Sequence, residues 1–195
     1  MTEEEKILVD QIKNGDTNAF DRLFRAYYQP LFRFISSLVN NSEAAEDLLQ
    51  DIFLNVWKTR QRLDRMQSIK SYLFRSAKNI SLNYLRHQKV IQRHIPSFGK
   101  ENLAGFDKQN WKEKIETVSP SPEEVYIQNS LQGELQKAVQ SLPERTRTAF
   151  YLSRYEELSH IQIAEIMEIS PKTVNNHIVQ ALLQLRKLLQ HLYQK

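Results

Sequence analysis

The stretch SHIQIAEIMEISPKTVNNHIVQALLQL, residues Ser159–Leu185, decides the fold of the C-terminal part of this chain. Its apolar residues recur at helical spacing on both sides of a short turn. This spacing predicts two helices, one at His160–Met167 and one from Pro171 to about Leu192. Ser170 is a good N-cap residue, and Pro171 suits the first position of the second helix. The pattern therefore predicts a helix-turn-helix.

Within this motif, we expect the two helices to pack through their apolar faces. The predicted contacts join Ile161, Ala164 and Ile166 to Val174, Ile178 and Leu182, with Ile169 filling the turn. The small side chain of Ala164 lets the second helix cross the first closely.

The start of the second helix carries polar side chains that would face outward. They are Lys172, Thr173, Asn175, Asn176, His177 and Gln180. Such side chains can hydrogen-bond to base edges or phosphates, and recognition helices read bases with their N-terminal end. The pattern favours binding of duplex DNA. The alternative is an ordinary helical hairpin with a solvated polar face.

Positive charge is concentrated upstream, in the segment Lys58–Arg93, which holds ten basic residues and one acidic residue. The segment carries +9, whereas the whole chain carries +4. A local charge of this size is typical of a surface that binds a polyanion. A solvated basic helix face and contact with an anionic membrane surface are the alternatives that charge alone leaves open.

The basic segment includes a predicted helix from Ile69 to about Gln88 in which aromatic residues alternate with cations. The aromatic residues are Tyr72, Phe74 and Tyr84, the cations are Lys70, Arg75, Lys78 and Arg86, and the amides are Asn79 and Asn83. We expect the buried stripe to consist of Ile69, Leu73, Ala77, Ile80 and Tyr84. Stacking surfaces beside cations suit single-stranded nucleic acid. The alternative is that the aromatic residues belong to the core and only the cations are exposed.

The preceding part of the chain also shows helical periodicity. Pro30 interrupts the pattern, so we expect separate helices at Asp16–Tyr28 and Leu31–Val39. Ser42 is the predicted N-cap of a further helix that runs to about Lys58. The face of that helix opposite the core carries Asp47, Gln50, Asp51, Leu54 and Asn55. An acidic and amide face beside a basic segment indicates either inert surface or a docking site for a basic or helical partner.

Composition argues against several classes of protein. The chain has no cysteine, four glycines and no Gly-rich phosphate-binding motif. The five histidines lack the spacing of a zinc site, so we expect neither an enzyme nor a bound metal or cofactor. No run reaches the roughly 18 apolar residues of a spanning helix, and the N-terminus is acidic where a secretion signal is basic. We therefore expect a cytoplasmic protein without membrane insertion.

The predicted fold class is all-α, with two small helical domains at residues 1–93 and 123–195. Residues 94–122 lose helical periodicity and contain prolines and glycines, which predicts a flexible linker. Helices at Pro122–Ser141 and Glu144–Tyr155 are expected to precede the helix-turn-helix.

The order of these features resembles one family, the bacterial RNA polymerase sigma factors of the extracytoplasmic-function group, which keep sigma regions 2 and 4 joined by a linker. The matching segments are AFDRLFRAYYQPLFRFI (Ala19–Ile35), AEDLLQDIFLNVW (Ala45–Trp57), SIKSYLFRSAKNISLNYLR (Ser68–Arg86) and LPERTRTAFYLSRYEELSHIQIAEIMEISPKTVNNHIVQALLQLRKLL (Leu142–Leu189). The resemblance implies a protein that directs promoter-specific initiation and catalyses nothing itself.

The resemblance also implies a role for each set of residues. The clamp helices of core RNA polymerase would contact Asp47, Gln50, Asp51, Leu54 and Asn55. The flap of the polymerase is a second expected contact of the chain. The melted −10 strand would contact Arg60, Arg62, Lys70, Tyr72, Arg75, Lys78, Asn79, Asn83 and Arg86. The −35 duplex would contact Pro171, Lys172, Thr173, Asn175, Asn176, His177, Gln180 and Arg186. An anti-sigma factor is a further partner that the family implies.

Three positions depart from the usual pattern of the family. Tyr72 stands where Trp is usual, and Ser159–Ile161 replaces an aromatic and basic helix start. Glu168 stands where the turn of the helix-turn-helix often has Gly, and a non-Gly residue in a left-handed conformation costs roughly 1 kcal/mol.

The alternative functions are a dimeric helix-turn-helix regulator that acts without promoter melting, and a helical adaptor that binds anionic lipid.

Overall fold

In the computed structural model, residues 3–65, 68–94, 133, 135 and 137–190 are described. All regular secondary structure within these residues is helical. The N-terminal helices are α1 (Glu3–Lys13), α2 (Thr17–Val39), α3 (Ser42–Lys58) and α4 (Ile69–His94), with a 3-10 helix at Arg60–Arg65. The C-terminal helices are α5 (Glu144–Arg154), α6 (His160–Met167) and α7 (Pro171–Leu189). The predicted all-α class is confirmed.

The N-terminal helices enclose a core in which α2 lies against both α3 and α4. Leu31, Ile35 and Leu49 are fully buried there, as is Leu73 of α4. Burying side chains of this size stabilises the bundle by roughly 1.5–3 kcal/mol each. These residues lie on the apolar faces that helical periodicity predicts.

α2 is continuous through Pro30, so the prediction of two separate helices is wrong. A proline inside a helix removes one backbone hydrogen bond, here to the carbonyl of Ala26. Ala26 is exposed, so water can hydrate that carbonyl. The long buried face of α2, which includes Leu23 and Phe34 on either side of the proline, holds the helix together.

Three further boundaries differ from the predictions. Asn41, not Ser42, caps α3, because its side chain accepts a hydrogen bond from the backbone N–H of Ala44 at 3.0 Å. α4 extends to His94 instead of ending near Gln88. α1 has no counterpart in the sequence predictions, although Val9 and Ile12 bury its inner face. The predicted linker at 94–122 lies outside the described residues apart from His94, and of the predicted helix before α5 only 133, 135 and 137–141 are described, as helix.

The predicted helix-turn-helix is present as α6 and α7. Ser159 caps α6 through a capping box with Gln162, and Ser170 caps α7 with Pro171 at the first position. The contacts inside the motif differ from those predicted, because Ile161 is 65% and Leu182 is 55% exposed. The buried side chains are Ile163, Ala164, Ile166, Val174, Ala181 and Leu185.

Removal of the Ser170 cap tests how far the turn stabilises this motif. The Ser170 hydroxyl accepts a hydrogen bond from the backbone N–H of Thr173 at 3.1 Å. We expect Ser170→Ala to lower the free energy of unfolding by about 1 kcal/mol, and Ser170→Gly to lower it by only a few tenths. Urea denaturation followed by circular dichroism measures both values. Equal losses in the two variants would contradict the capping role.

The N-terminal and C-terminal helices are packed against each other. Phe34 of α2 lies between Phe74 of α4 and Tyr151 of α5, with ring centroids 5.3 Å apart in both pairs. α6 also packs along α4. One cluster of buried residues therefore extends from the N-terminal bundle into α5 and α6.

Candidate nucleic-acid interface

α7 presents a polar face at its N-terminal end. Pro171, Lys172, Asn175, Asn176, Gln180 and Arg186 are exposed. Lys172 and Asn176 are one turn apart, with Asn175 beside them, so donors and acceptors of different length share one surface. These side chains can contact base edges and phosphates of a duplex.

Two of the predicted duplex-binding residues have contacts within the protein. The Thr173 hydroxyl lies 2.8 Å from the Ser170 hydroxyl, and Nδ1 of His177 lies 3.2 Å from the Thr146 hydroxyl. Both side chains are half-buried. Their first role is therefore to hold the start of α7 against its own turn and against α5.

α4 carries an exposed polar stripe formed by Arg75, Asn79, Asn83 and Arg86. The spacing of four, four and three residues places them along one face of the helix. Arg86 donates to the amide oxygen of Asn83 at 3.2 Å, which orients both groups. The stripe offers alternating cations and amides to a polyanion.

The aromatic residues of α4 divide between core and surface. Phe74 is fully buried, whereas Tyr72 and Tyr84 are half-buried. Stacking on Phe74 by an external base is therefore excluded. Tyr72 and Tyr84 are the aromatic residues of α4 that are partly exposed and that an external base can reach.

The 3-10 helix before α4 adds two of the predicted cations. The Arg60 guanidinium lies over the Trp57 ring, 4.6 Å from its centroid, and donates to the Trp57 carbonyl at 2.9 Å. Arg62 is exposed. Arg60 is thus held against the end of α3, whereas Arg62 faces solvent.

The predicted docking face of α3 is on the surface, close to the stripe of α4. Asp47, Asp51 and Asn55 are exposed at successive turns, and Gln50 and Leu54 are half-buried beside them. An open groove of about 490 Å³ lies between the exposed edges of α3 and α4. Asp51, Leu54, Asn55 and Lys58 line one side, and Ser76, Asn79 and Asn83 line the other.

Among the described residues that line this groove, the charged side chains are Asp51 and Lys58. Partial burial raises the pKa of the Asp51 carboxyl, and the neighbouring Asp47 raises it further, while Lys58 acts in the opposite direction. Desolvation and a like charge both favour the protonated form. A cationic group of a partner placed beside Asp51 would therefore favour its ionised form.

Three cations of α4 are directed to the C-terminal helices. Lys70 donates to the Glu156 carbonyl at 2.7 Å, and Arg75 pairs with the Glu168 carboxylate at 3.0 Å. Lys78 is buried and donates to the Ile166 carbonyl at 2.8 Å. Burial lowers the pKa of Lys78. Lys78 is therefore covered by α6 in this structure, and its predicted contact with the melted strand stays a prediction.

Glu156 and Glu168 are functional candidates that sequence reasoning did not place in the site. Glu168 has φ of 58°, the left-handed conformation that favours Gly. An acidic residue in a turn position that suits Gly is a signal visible in the sequence, but its contact with Arg75 depends on tertiary packing. The Glu156 carboxylate, 3.6 Å from Lys70, gives no such signal.

Two further properties concern metals and membranes. Within the ranges described above, no group of three or more acidic, histidine or cysteine side chains is placed to hold a metal ion. Among the helices of those ranges, none is both long and apolar enough to cross a bilayer.

Two family models match separate parts of the chain. The model for sigma-70 region 2 matches residues 23–90, which include most of α2, all of α3 and most of α4. The model for sigma-70 region 4 matches residues 132–185, which include the helix-turn-helix.

Whole-length relatives agree with these matches. The chain is 26% identical to the ECF RNA polymerase sigma factor SigW of Bacillus subtilis over 185 residues, 94% of this chain and 96% of that protein. Its fold is similar to that of CnrH in complex with the cytosolic domain of CnrY, with a TM-score of 0.66 at 18% identity over 96% of this chain and 97% of that one. It is also similar to RpoE in complex with the anti-sigma factor NepR from Bartonella quintana, with a TM-score of 0.62 at 22% identity over 88% and 96% of the two chains.

An all-helical chain with a terminal helix-turn-helix and matches to sigma regions 2 and 4 defines a DNA-binding factor of transcription initiation. The chain belongs to the sigma-70 family, within its extracytoplasmic-function group of RNA polymerase sigma factors.

Proposed function

We propose that this sigma factor docks on core RNA polymerase through α3, captures the melted −10 strand through α4, and reads the −35 element through α7. The observation that carries the proposal is the groove between α3 and α4, because its two walls belong to the two predicted interfaces. A partner bound to α3 would lie directly beside a strand bound to α4. Docking and strand capture would then take place on one continuous surface.

Polymerase docking is assigned to Asp47, Asp51 and Asn55, with Gln50 and Leu54 at their side. The clamp helices of core polymerase are the proposed contact of this face, and the flap is a further proposed contact of the chain. Exposed carboxylates on one helix face complement a basic partner surface and steer its approach. Leu54 adds an apolar contact at the centre of this face, where it is half-buried and reachable.

Strand capture is assigned to the stripe of α4 together with Arg62, Tyr72 and the cations Arg60, Lys70 and Lys78. Single-stranded DNA offers phosphates to cations and unstacked bases to aromatic rings. Asn79 and Asn83 add amide groups that can hydrogen-bond to base edges. Favourable contacts to an open strand offset the few kcal/mol that each unstacked base costs.

Reading of the −35 duplex is assigned to the exposed N-terminal end of α7. Lys172 suits phosphates at this end and Arg186 suits them in the last turn of the helix, whereas Asn175, Asn176 and Gln180 suit base edges. Thr173 and His177 contribute by positioning the helix start. A second contact on the same chain raises the effective concentration of the −10 surface at the promoter.

Partners and location follow from the same proposal. An anti-sigma factor is a proposed partner, supported by the two similar structures, which are complexes with CnrY and with NepR. We place the protein in the cytoplasm with RNA polymerase, and we assign phosphodiester bond formation to the polymerase alone. The proposed domains are residues 1–93 and 123–195, joined by 94–122.

Run-off transcription with purified core polymerase tests the proposal. The templates are promoter fragments recovered by immunoprecipitation of the protein from its native cell. We expect transcripts from a single start site only when both the protein and core polymerase are present. Binding to these fragments as a dimer, without initiation, would instead support a helix-turn-helix regulator.

A matched pair of variants separates phosphate contacts from base contacts in α7. We expect Lys172→Ala to weaken binding to all duplexes and to reduce the slope of log K against log salt by about 1. Asn175→Ala should leave the slope unchanged and cost roughly 1–3 kcal/mol on the recovered promoter duplex only. Fluorescence anisotropy at several salt concentrations measures both. An unchanged slope for Lys172→Ala would remove its assignment as a phosphate contact.

A further inference from the structure

His177 lies at the border between the polar face of α7 and the interior of the C-terminal part. Its neighbours Asn176 and Gln180 are exposed, Val174 is buried, and His177 itself is half-buried. Nδ1 of the ring is 3.2 Å from the hydroxyl of Thr146, which lies on α5. Nε2 makes no hydrogen bond to any of the residues that the structure describes. One ring nitrogen is therefore used inside the protein, and the other is available to an external partner.

The surroundings of Thr146 indicate which ring nitrogen carries the proton. Thr146 is almost fully buried, and the contact with His177 is the one hydrogen bond of its hydroxyl within the described part of the chain. If the hydroxyl accepted from a protonated Nδ1, its own proton would be buried without a partner, which is unfavourable. Donation from the hydroxyl to Nδ1 avoids this loss. Because a neutral imidazole has one accepting and one donating nitrogen, the proton is then on Nε2.

We propose that Thr146 is a positioning residue for recognition of the −35 duplex, because it fixes the His177 ring with Nε2–H as a hydrogen-bond donor for DNA. This donor pairs with an acceptor on the duplex, either a base edge such as purine N7, guanine O6 or thymine O4, or a phosphate oxygen. It cannot pair with the amino groups of adenine or cytosine. The inference rests on the proposed role of α7 and adds a residue from outside the recognition helix.

The tautomer of His177 can be measured in the native full-length chain without DNA. Long-range proton–nitrogen correlation spectra at about pH 8, where histidine is ordinarily neutral, distinguish protonated from unprotonated ring nitrogens. The signals of His177 are assigned by their absence from the spectrum of a His177→Gln variant. We expect an unprotonated Nδ1 and a protonated Nε2. A native chain in which Nδ1 carries the proton would overturn the proposal.

Thr146→Val removes the hydroxyl with little change in side-chain size, and Thr148→Val is its matched control. Thr148 lies on the same helix and is similarly buried, but its hydroxyl donates to the Glu144 carbonyl at 2.8 Å. We expect both tautomers of His177 to be populated in Thr146→Val and the native tautomer to persist in Thr148→Val. Thr146→Ser keeps a hydroxyl and should also keep the native tautomer. A native His177 spectrum in Thr146→Val would overturn the proposal.

Fluorescence anisotropy with the recovered promoter duplex tests whether DNA uses this donor. Thr146→Val should bind about 2- to 10-fold more weakly than the native chain, the range for one hydrogen bond. Thr148→Val and Thr146→Ser should bind like the native chain. Duplexes with single base-pair changes then identify the acceptor, because lost discrimination at one base pair indicates a base edge and an equal loss on all duplexes indicates a phosphate oxygen. Either result supports the donor.

The outcomes separate this inference from the proposed function. If Thr146→Val changes the tautomer but binds the duplex with native affinity, while Asn175→Ala weakens binding, α7 reads the duplex without His177 and the inference is wrong. If neither variant changes the affinity, the proposed reading of the duplex by α7 is wrong as well.

Discussion

Reversal of charge at Asp51 is expected to abolish stable assembly with core RNA polymerase. The side chain is exposed at the groove between α3 and α4, next to Asp47 and Lys58. Asp51→Arg would place a second cation beside Lys58 and present it to a partner surface that we propose to be basic. Disrupting a close charge contact in an interface costs about 2–5 kcal/mol, which corresponds to a loss of roughly 30-fold or more in affinity.

Size-exclusion chromatography and fluorescence anisotropy with core polymerase measure this loss directly. Asp10→Arg is the matched control, because Asp10 is also exposed on a helix of the N-terminal part but lies on α1. Thermal unfolding of both variants should match that of the native chain, because surface substitutions rarely change stability by more than ±0.5 kcal/mol. If the folded Asp51→Arg variant binds polymerase normally, the assignment of α3 as the docking surface is wrong.

The helix-turn-helix is the part of the fold that sequence predicts best, because local chemistry specifies it. Ser170 and Pro171 fix the start of α7 through capping and a preset backbone angle, and neither effect depends on distant residues. The side chains that are buried in the motif depend on the neighbouring helices. Ala181 and Leu185 are buried in a cluster with Leu142 and Phe150, whereas Ile161 and Leu182 are exposed.

Pro30 illustrates the opposite case, in which tertiary packing outweighs a local signal. The lost hydrogen bond costs a few kcal/mol, whereas the buried face of α2 contains eight residues that contact several helices. The proline is visible in the sequence, whereas the buried contacts of α2 are known only from the packed structure.

The residues of the candidate site also divide into those that local sequence patterns predict and those whose placement depends on tertiary packing. The exposed stripe of α4 and the acidic face of α3 follow from helical spacing within single segments. The burial of Lys78 does not, because its partner Ile166 is 88 positions away in sequence. Contacts between residues so far apart depend on how region 4 packs against region 2, which no local pattern specifies.

Truncation of Phe34 is expected to have the largest effect on stability. Phe34 is fully buried and lies between Phe74 and Tyr151, so it belongs to the cores of both parts of the chain. Phe34→Ala should lower the free energy of unfolding by about 3–5 kcal/mol through lost burial and a remaining cavity. This is a large fraction of the 5–15 kcal/mol that stabilises a typical domain.

Phe32→Ala is the control for this prediction, because Phe32 lies on the same helix, is half-buried and stacks with Tyr28 at 6.3 Å. Urea denaturation should give it a clearly smaller loss. The contact between the two parts is tested by a double-mutant cycle of Phe34→Ala with Tyr151→Ala. A coupling of roughly 0.5–1.5 kcal/mol is expected for an aromatic pair. A coupling of zero would mean that the rings do not meet in solution, and the packing of α5 on α2 would then be wrong.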